Sequence, residues 1–480
     1  MKNNFEIVSK DAMGRIAKLK TPHGIVETPT LMPVINPNIE FIPAKKMKKF
    51  GAEILITNSY IIYRTKKDEA LEERVHKILD VNMPVMTDSG SYQLMVYGDV
   101  EIDNKTIVDF QQKIGSDIIV PLDIPTPPDA DYETALNDLN ETLEREREAM
   151  KIVKKSLLAL PIQGSTHLEL RKKSAEEAIK LNGDIYPIGA VVPLMDTYRF
   201  TDLVKIILEV KGVIKTKPIH LFGCGHPMIF AIAVALGCDL FDSAAYALYA
   251  KDDRYMTPYG TKKLEELQYF PCSCPICINY TPQELRKMDK KERELLIAEH
   301  NLWISFEELR LIKQAIKENT LFELVESRIR SHPYLVSAWR RIKEYSSLIE
   351  KFDPSVKKAY FYLGIESLYR PAMQRHRKKV LNLKLEAKEL KISTNELVLA
   401  DFYLKPGFGV IPAELMEIYP CRAEMPDVEV IESEAIIMAV ENLKKFLRKH
   451  KNVTFQIFVD KTWLDYIKDI PKNGVINVID

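Results

Sequence analysis

Six polar residues that could act on a bound molecule stand at or near the end of a short apolar run. They are Asn58 in "EILITNS", Asp88 in "PVMTDSG", Asp123 in "DIIVPLD", Gln163 in "LLALPIQG", His220 in "PIHLFGCG" and Asp242 in "CDLFDSA". Two carboxylates facing one site can divide the work of nucleophile and general acid/base, the pairing used on glycosidic bonds. A third can hold a substrate through its NH groups. A strand-end aspartate also often caps the next helix, and "TDSG" and "FDSA" would serve for that. The neighbours favour the first reading: small residues follow in "DSGS", "GAVV" and "DSAA", which keeps a cavity open, and three aspartates hold equivalent places.

A second set of residues points to metal. Cys272, Cys274 and Cys277 form Cys-x-Cys-x2-Cys on a Pro-containing turn, and 22 residues separate the last of them from His300. Thr281-Pro282-Gln283-Glu284 reads as a capping box with proline at the first helical position, which starts the helix that carries His300. Three thiolates and one imidazole complete a tetrahedral zinc site with no open position, so one structural ion is expected. The competing reading is three packed thiols and an unrelated histidine. Cys224, Cys238 and Cys421 stand alone and read as small core residues, while His23, His220 and His226 have no metal spacing.

The elements that must position these residues have a regular rhythm. From about residue 53 to 242 seven near-continuously apolar runs, most about 30 to 40 residues apart, begin at 53, 84, 117, 157, 185, 218 and 238. That spacing fits one strand plus one crossover helix, and the continuous apolarity fits strands covered on both faces. Residues 131–156 and 167–182 have the charge pattern of amphipathic surface helices. A (β/α)8 TIM barrel is the expected fold, over an open doubly wound sheet, and its strand C-termini would gather the polar residues at one mouth. After about residue 350 the rhythm stops. Residues 350–360 read as a linker, giving a 1–352 barrel domain with a zinc subdomain at about 270–305, and a smaller 353–480 α+β region.

Lysine plus arginine and aspartate plus glutamate are equal at 68 each, so nucleic-acid binding would need local patches and not an overall field. The chain has no run of about 18 apolar residues and no leader-like start, and its six cysteines do not form a secreted disulfide framework, so a cytoplasmic protein away from membranes is expected. No dinucleotide or phosphate-loop fingerprint is present to place an open sheet, and two carboxylates working at a glycosidic carbon by double displacement need no redox cofactor or nucleotide.

Taken in order, "TDSGSYQ", "PLDIPTPP", "PIQGS", "IGAVVPL", "HLFGCGHP", "LFDSAAYALYAKDDRY" and the Cys3His element resemble the archaeal branch of the tRNA-guanine transglycosylases, over roughly residues 5 to 310 and again in "GIESLYRPAMQRHRKK". The resemblance implies a zinc-containing barrel that replaces guanine 15 of the tRNA D-arm with 7-cyano-7-deazaguanine on the way to archaeosine. It makes Asp242 the nucleophile and Asp88 the general acid/base, an order that the residues alone leave open. Asp123, Gln163, Gly189, Ala190 and Val191 then line the base pocket, with Ser89 keeping it open and Tyr92 and Gln93 at its rim. Lys251 and Arg254 are expected to touch RNA; the run Arg370, Arg375, Arg377, Lys378 and Lys379 is a second candidate, set against the commoner reading of a charge run as a solvated face. A homodimer paired near the zinc region is a further expectation. Relatives commonly end in a PUA domain that is not recognisable here, so a separate PUA-containing protein, or weaker tRNA binding by the chain alone, is expected. The rival functions are a non-catalytic binding subunit, which the three intact aspartates disfavour, and a downstream enzyme acting on the inserted base.

Overall fold

A computed structural model of the chain describes residues 4–39, 41–91 and 102–479. Three antiparallel strands, β1 (Phe5–Asp11), β2 (Gly14–Thr21) and β3 (Gly24–Thr28), precede eight parallel ones. The eight are β4 (Thr30–Ile35), β5 (Leu55–Asn58), β6 (Val85–Asp88), β7 (Ile118–Ile119), β8 (Leu157–Leu158), β9 (Tyr186–Ile188), β10 (Ile219–Leu221) and β11 (Leu240–Ser243). They pair in the order β8-β7-β6-β5-β4-β11-β10-β9. Parallel bridges from Ala159 to Ile185 and from Ile162 to Ile188 join the two ends, so the sheet closes into the expected barrel.

Each apolar run becomes a strand because both of its faces are covered. Met32, Ile54, Ile56, Met86, Ile118, Leu157, Ala159, Ile185 and Leu240 pack in one cluster, and each of its leucine, isoleucine and methionine side chains contributes about 1.5–3 kcal/mol by leaving water. Between strands the amphipathic segments form helices Tyr132–Ile152, capped by Asp131, and Leu168–Leu181. The seven runs read from sequence supply β5 to β11. β4 is the eighth, and it escapes the pattern because Pro29, Pro33 and Pro37 punctuate it and no long helix follows.

The chain divides into two compact units: residues 1–317 with 328–339, and residues 318–327 with 340–480. This differs from a single cut at 352. The stretch 318–327 joins the second unit because Glu326 lies buried there in a bidentate ion pair with Arg370. Nor is 350–360 a solvated linker, since Asp353 and Lys357 form a buried ion pair at 2.8 Å. The second unit holds a five-stranded sheet in the order Gly409–Pro412, Phe402–Lys405, Glu389–Ser393, Thr454–Asp460, Gly474–Ile479. Helix Ser433–Lys449 buries Ile436, Val440, Leu443 and Phe446 in the core that this sheet shares. No helix among the described residues is long and apolar enough to cross a membrane.

Candidate active site and metal centre

Asp88 ends β6 directly beside Asn58, its register partner at the end of β5. Asn58 serves two elements at once: Oδ1 caps the helix Ser59–Ile78 through the Ile61 amide, and Nδ2 donates to Asp88 Oδ1 at 2.7 Å. The Gly90 amide donates to the same oxygen at 2.9 Å. Burial raises the Asp88 carboxyl; the Gly90 amide pulls it down, and the fields of Asp242 and Asp123 raise it further, to about 7. The Asp88 carboxyl thus feels the charges of both Asp242 and Asp123, and all three stand at strand ends, on the C-terminal face where a barrel's loops build sites.

Asp123 follows β7 and is 4% exposed. Its amide donates to Ser91 Oγ at 3.0 Å, and Gln163 Nε2 donates to its Oδ2 at 2.5 Å. Burial nevertheless leaves its carboxyl above the ordinary carboxylate range. Gln163 lies against Gly189 so closely that a Cβ on Gly189 would stand 2.3 Å from Gln163 Nε2, which only glycine permits. Ala190 next to it has φ +56°, and buried Val191 begins the helix Val192–Asp196. Ser89 is buried and joins Ser91 Oγ at 3.0 Å and the Pro121 carbonyl at 3.1 Å, so it buttresses the Asp123 loop. Asp242, on β11, has Oδ1 within 2.8 Å of His220 Nε2 and accepts the Gly223 amide at 2.9 Å. Tyr92 and Gln93 lie outside the described residues.

Cys272, Cys274, Cys277 and His300 bring four ligand atoms within 4.8 Å of one another. Cys274 Sγ and Cys277 Sγ are 3.5 Å apart, and each is 3.4 Å from His300 Nδ1. A tetrahedron with Zn–S near about 2.3 Å and Zn–N near about 2.0 Å has edges of about 3.5 to 3.8 Å, so the residues fit such an ion. His300 Nε2 faces the Met256 carbonyl at 2.9 Å, which puts the proton there and leaves the Nδ1 lone pair toward the thiols. The Thr281–Glu284 capping box forms, but it starts a separate short helix, Pro282–Lys287, and not, as expected, the helix that carries His300, which begins only at Lys290 (Lys290–Glu318).

His23, His76 and Asp117 form a second group of ligand-type side chains. Here both Asp117 oxygens already accept backbone amides, from His23 at 2.7 Å and Val85 at 2.8 Å, besides meeting the two imidazoles at 3.0 Å. It is a hydrogen-bonded plug under the barrel.

A family model described as queuine tRNA-ribosyltransferase matches residues 10–334. The chain belongs to that family. It is 62% identical over 478 residues to the tRNA-guanine(15) transglycosylase of Archaeoglobus fulgidus, covering 99% of both chains. It is 52% identical over 466 residues to that of Methanosarcina mazei, covering 95% of this chain and 94% of the relative. The Methanocaldococcus jannaschii protein of the same name is 49% identical over 475 residues, covering 93% of this chain and 72% of its own.

On this family scaffold the two basic stretches fare differently. Lys251, at the end of helix Ala245–Lys251, is exposed, and Arg254 is half-buried with its guanidinium 3.8 Å over the Tyr249 ring and 3.1 Å from Asp252. In the second stretch Arg370 is buried against Glu323 and Glu326, Arg377 donates to the Gly407 and Leu368 carbonyls, and Arg375 donates to the Ser355 carbonyl. Those arginines hold the second unit together, which leaves Lys378 and Lys379 as the exposed cations of the run. Composition could not show this, because an arginine that caps buried carbonyls and one that meets phosphate look alike in sequence. Sequence reading also passes over Ser91, over Gly223, and over Arg171, whose buried guanidinium ties the Ile162, Ser165 and Gly189 carbonyls together.

Proposed function

We propose that this chain exchanges guanine 15 of tRNA for 7-cyano-7-deazaguanine, a step toward archaeosine, by double displacement at the ribose anomeric carbon. The observation that carries this is the ring of Asp88, Asp123 and Asp242 at the mouth of a closed barrel, in a chain 62% identical to a tRNA-guanine(15) transglycosylase. An Asp242 oxygen bonds to the anomeric carbon while the bond to guanine breaks, and the Asp88 proton goes to the departing base. The incoming base then attacks the same carbon, its proton passes to Asp88, and the Asp242 ester bond breaks. A carboxyl that titrates at about 7 can serve as acid in one half and base in the other at neutral pH.

The target base leaves its stack to enter the pocket. Asp123 and Gln163 suit its polar edge: a buried carboxylate accepts from base NH groups, and Gln163 Oε1 is buried with no partner among the described residues. Gly189, Ala190 and Val191 shape the pocket wall. Lys251 and Arg254 meet the RNA backbone. Zinc held by Cys272, Cys274, Cys277 and His300 cross-links the subdomain and takes no part in the exchange. The same reading extends to a homodimer in the cytoplasm.

Incubation with labelled guanine and unfractionated archaeal tRNA tests the exchange. Label enters tRNA with the wild type and does not with Asp242→Ala or Asp88→Ala; an inactive wild type ends the reading. Elemental analysis gives one zinc per chain, lost in Cys274→Ser, and light scattering gives the mass of a dimer.

A further inference from the structure

We infer that His220 is a positioning residue for the exchange, clamping one oxygen of Asp242 so that the other, Oδ2, is the one that bonds to ribose. The inference rests on Asp242 being the nucleophile. His220 lies on β10, one strand from Asp242, and in the parallel register it pairs with Leu240, two residues earlier on β11. From there its fully buried ring reaches Asp242 Oδ1 at 2.8 Å.

The ring's chemistry is fixed by its surroundings. A carboxylate oxygen accepts, so Nε2 carries the proton. Nδ1 is buried and has no hydrogen-bond partner among the described residues, so the ring meets the protein through Nε2 as a single directed donor. The Phe222 ring stands edge-on to the imidazole at 4.6 Å and holds its orientation. The second donor to Oδ1 is the Gly223 amide, presented by a backbone turn with φ +69°, where a Cβ would stand 2.2 Å from Val192. Two donors on Oδ1 fix the rotation of the carboxylate, and no donor among the described residues is on Oδ2. When Oδ2 becomes the ester oxygen, Oδ1 becomes the ester carbonyl and keeps both donors, so the clamp serves the first displacement and the second alike.

Glutamine and asparagine separate this role from packing. The glutamine amide nitrogen can occupy the place of His220 Nε2, whereas that of asparagine reaches only as far as Nδ1. The experiment measures guanine exchange and trapped protein–RNA adduct for wild type, His220→Gln, His220→Asn, His220→Phe and Asp242→Asn, with thermal melting of each. His220→Gln is expected within about fivefold of wild-type kcat, and His220→Asn and His220→Phe at least about thirtyfold below it with KM within about threefold. Equal loss in all three His220 variants, or no loss in any, overturns the clamp while leaving Asp242 as nucleophile. Adduct formed by Asp242→Asn overturns the nucleophile assignment, and the clamp with it.

Discussion

The two ends of one barrel treat the same residue type in opposite ways. At the strand N-termini Asp117, Asp184 and Asp239 each accept a backbone amide at the edge of a neighbouring strand: Val85 at 2.8 Å, Leu158 at 3.0 Å and Ile219 at 2.9 Å. Asp239 also takes Nε and Nη2 of Arg15, each at 2.8 Å. Burial alone would raise Asp117, but His76, the Val85 and His23 amides and the nearby His23 ring outweigh it and hold its carboxyl below the ordinary range. At the C-termini Asp88, raised by burial and by the charges of Asp242 and Asp123, and Asp123, raised by burial, have fewer donors than Asp117 and lie above that range. The lower carboxylates are already satisfied by the fold, and on the proposed mechanism the upper ones serve the substrate. That mechanism separates stability from chemistry along the barrel axis.

The largest effects should divide along that axis. Asp242→Asn is expected to lower exchange by more than about 10⁴-fold, roughly 5 kcal/mol of transition-state stabilisation, while leaving the melting temperature within about 2 °C of wild type. Asp239→Ala leaves the Arg15 guanidinium buried without its carboxylate and should cost about 3–5 kcal/mol of folding stability, with turnover per folded molecule unchanged. Denaturant unfolding alongside the exchange assay checks both. If Asp242→Asn unfolds the barrel as readily as Asp239→Ala, the two ends do not differ in kind.

This contrast also marks what the sequence could convey. The upper aspartates each close an apolar run, so their place and common direction follow from strand periodicity, and the Cys-x-Cys-x2-Cys spacing points to the cluster that could hold a metal ion, although the capping box opens a separate helix from the one carrying His300. Asp239 and Asp117 are just as visible, but nothing local tells that Arg15, 224 residues away, or His23, 94 away, satisfies them. The His220–Asp242 contact was hidden for the same reason, since parallel register is set by the whole barrel. β4 was hidden by its prolines, and the first three strands because they add a sheet outside the repeating unit. Arg370 and Arg377 misled because charge reads as surface until a buried partner appears.

The smallest expected effect tests the comparison most directly, because it is a matter of sign. Asp88 titrates at about 7 folded and at 3.8 as an ordinary carboxyl. Between those values the folded state holds a proton that the unfolded state has lost, so this group's contribution to stability falls as pH rises from about 4 and levels off above about 7. Asp88→Asn cannot ionise and escapes that loss. It should therefore gain stability over wild type as pH rises from 5 to 7, reaching on the order of 1–2 kcal/mol at pH 8 once relaxation and partial solvent access reduce the full shift. Asp117→Asn should behave in the opposite sense. A lowered carboxyl contributes stability above its unfolded value of about 3.9 and loses it as pH falls through the lower folded value, so the variant is weaker than wild type by about 1–3 kcal/mol at neutral pH, and the deficit shrinks in acid. Urea unfolding of the two variants at pH 4, 5, 6, 7 and 8 gives two curves against wild type. Opposite signs at pH 8 mean that the upper carboxylate is held at a cost to the fold and the lower one contributes to it; the same sign would mean that both are structural.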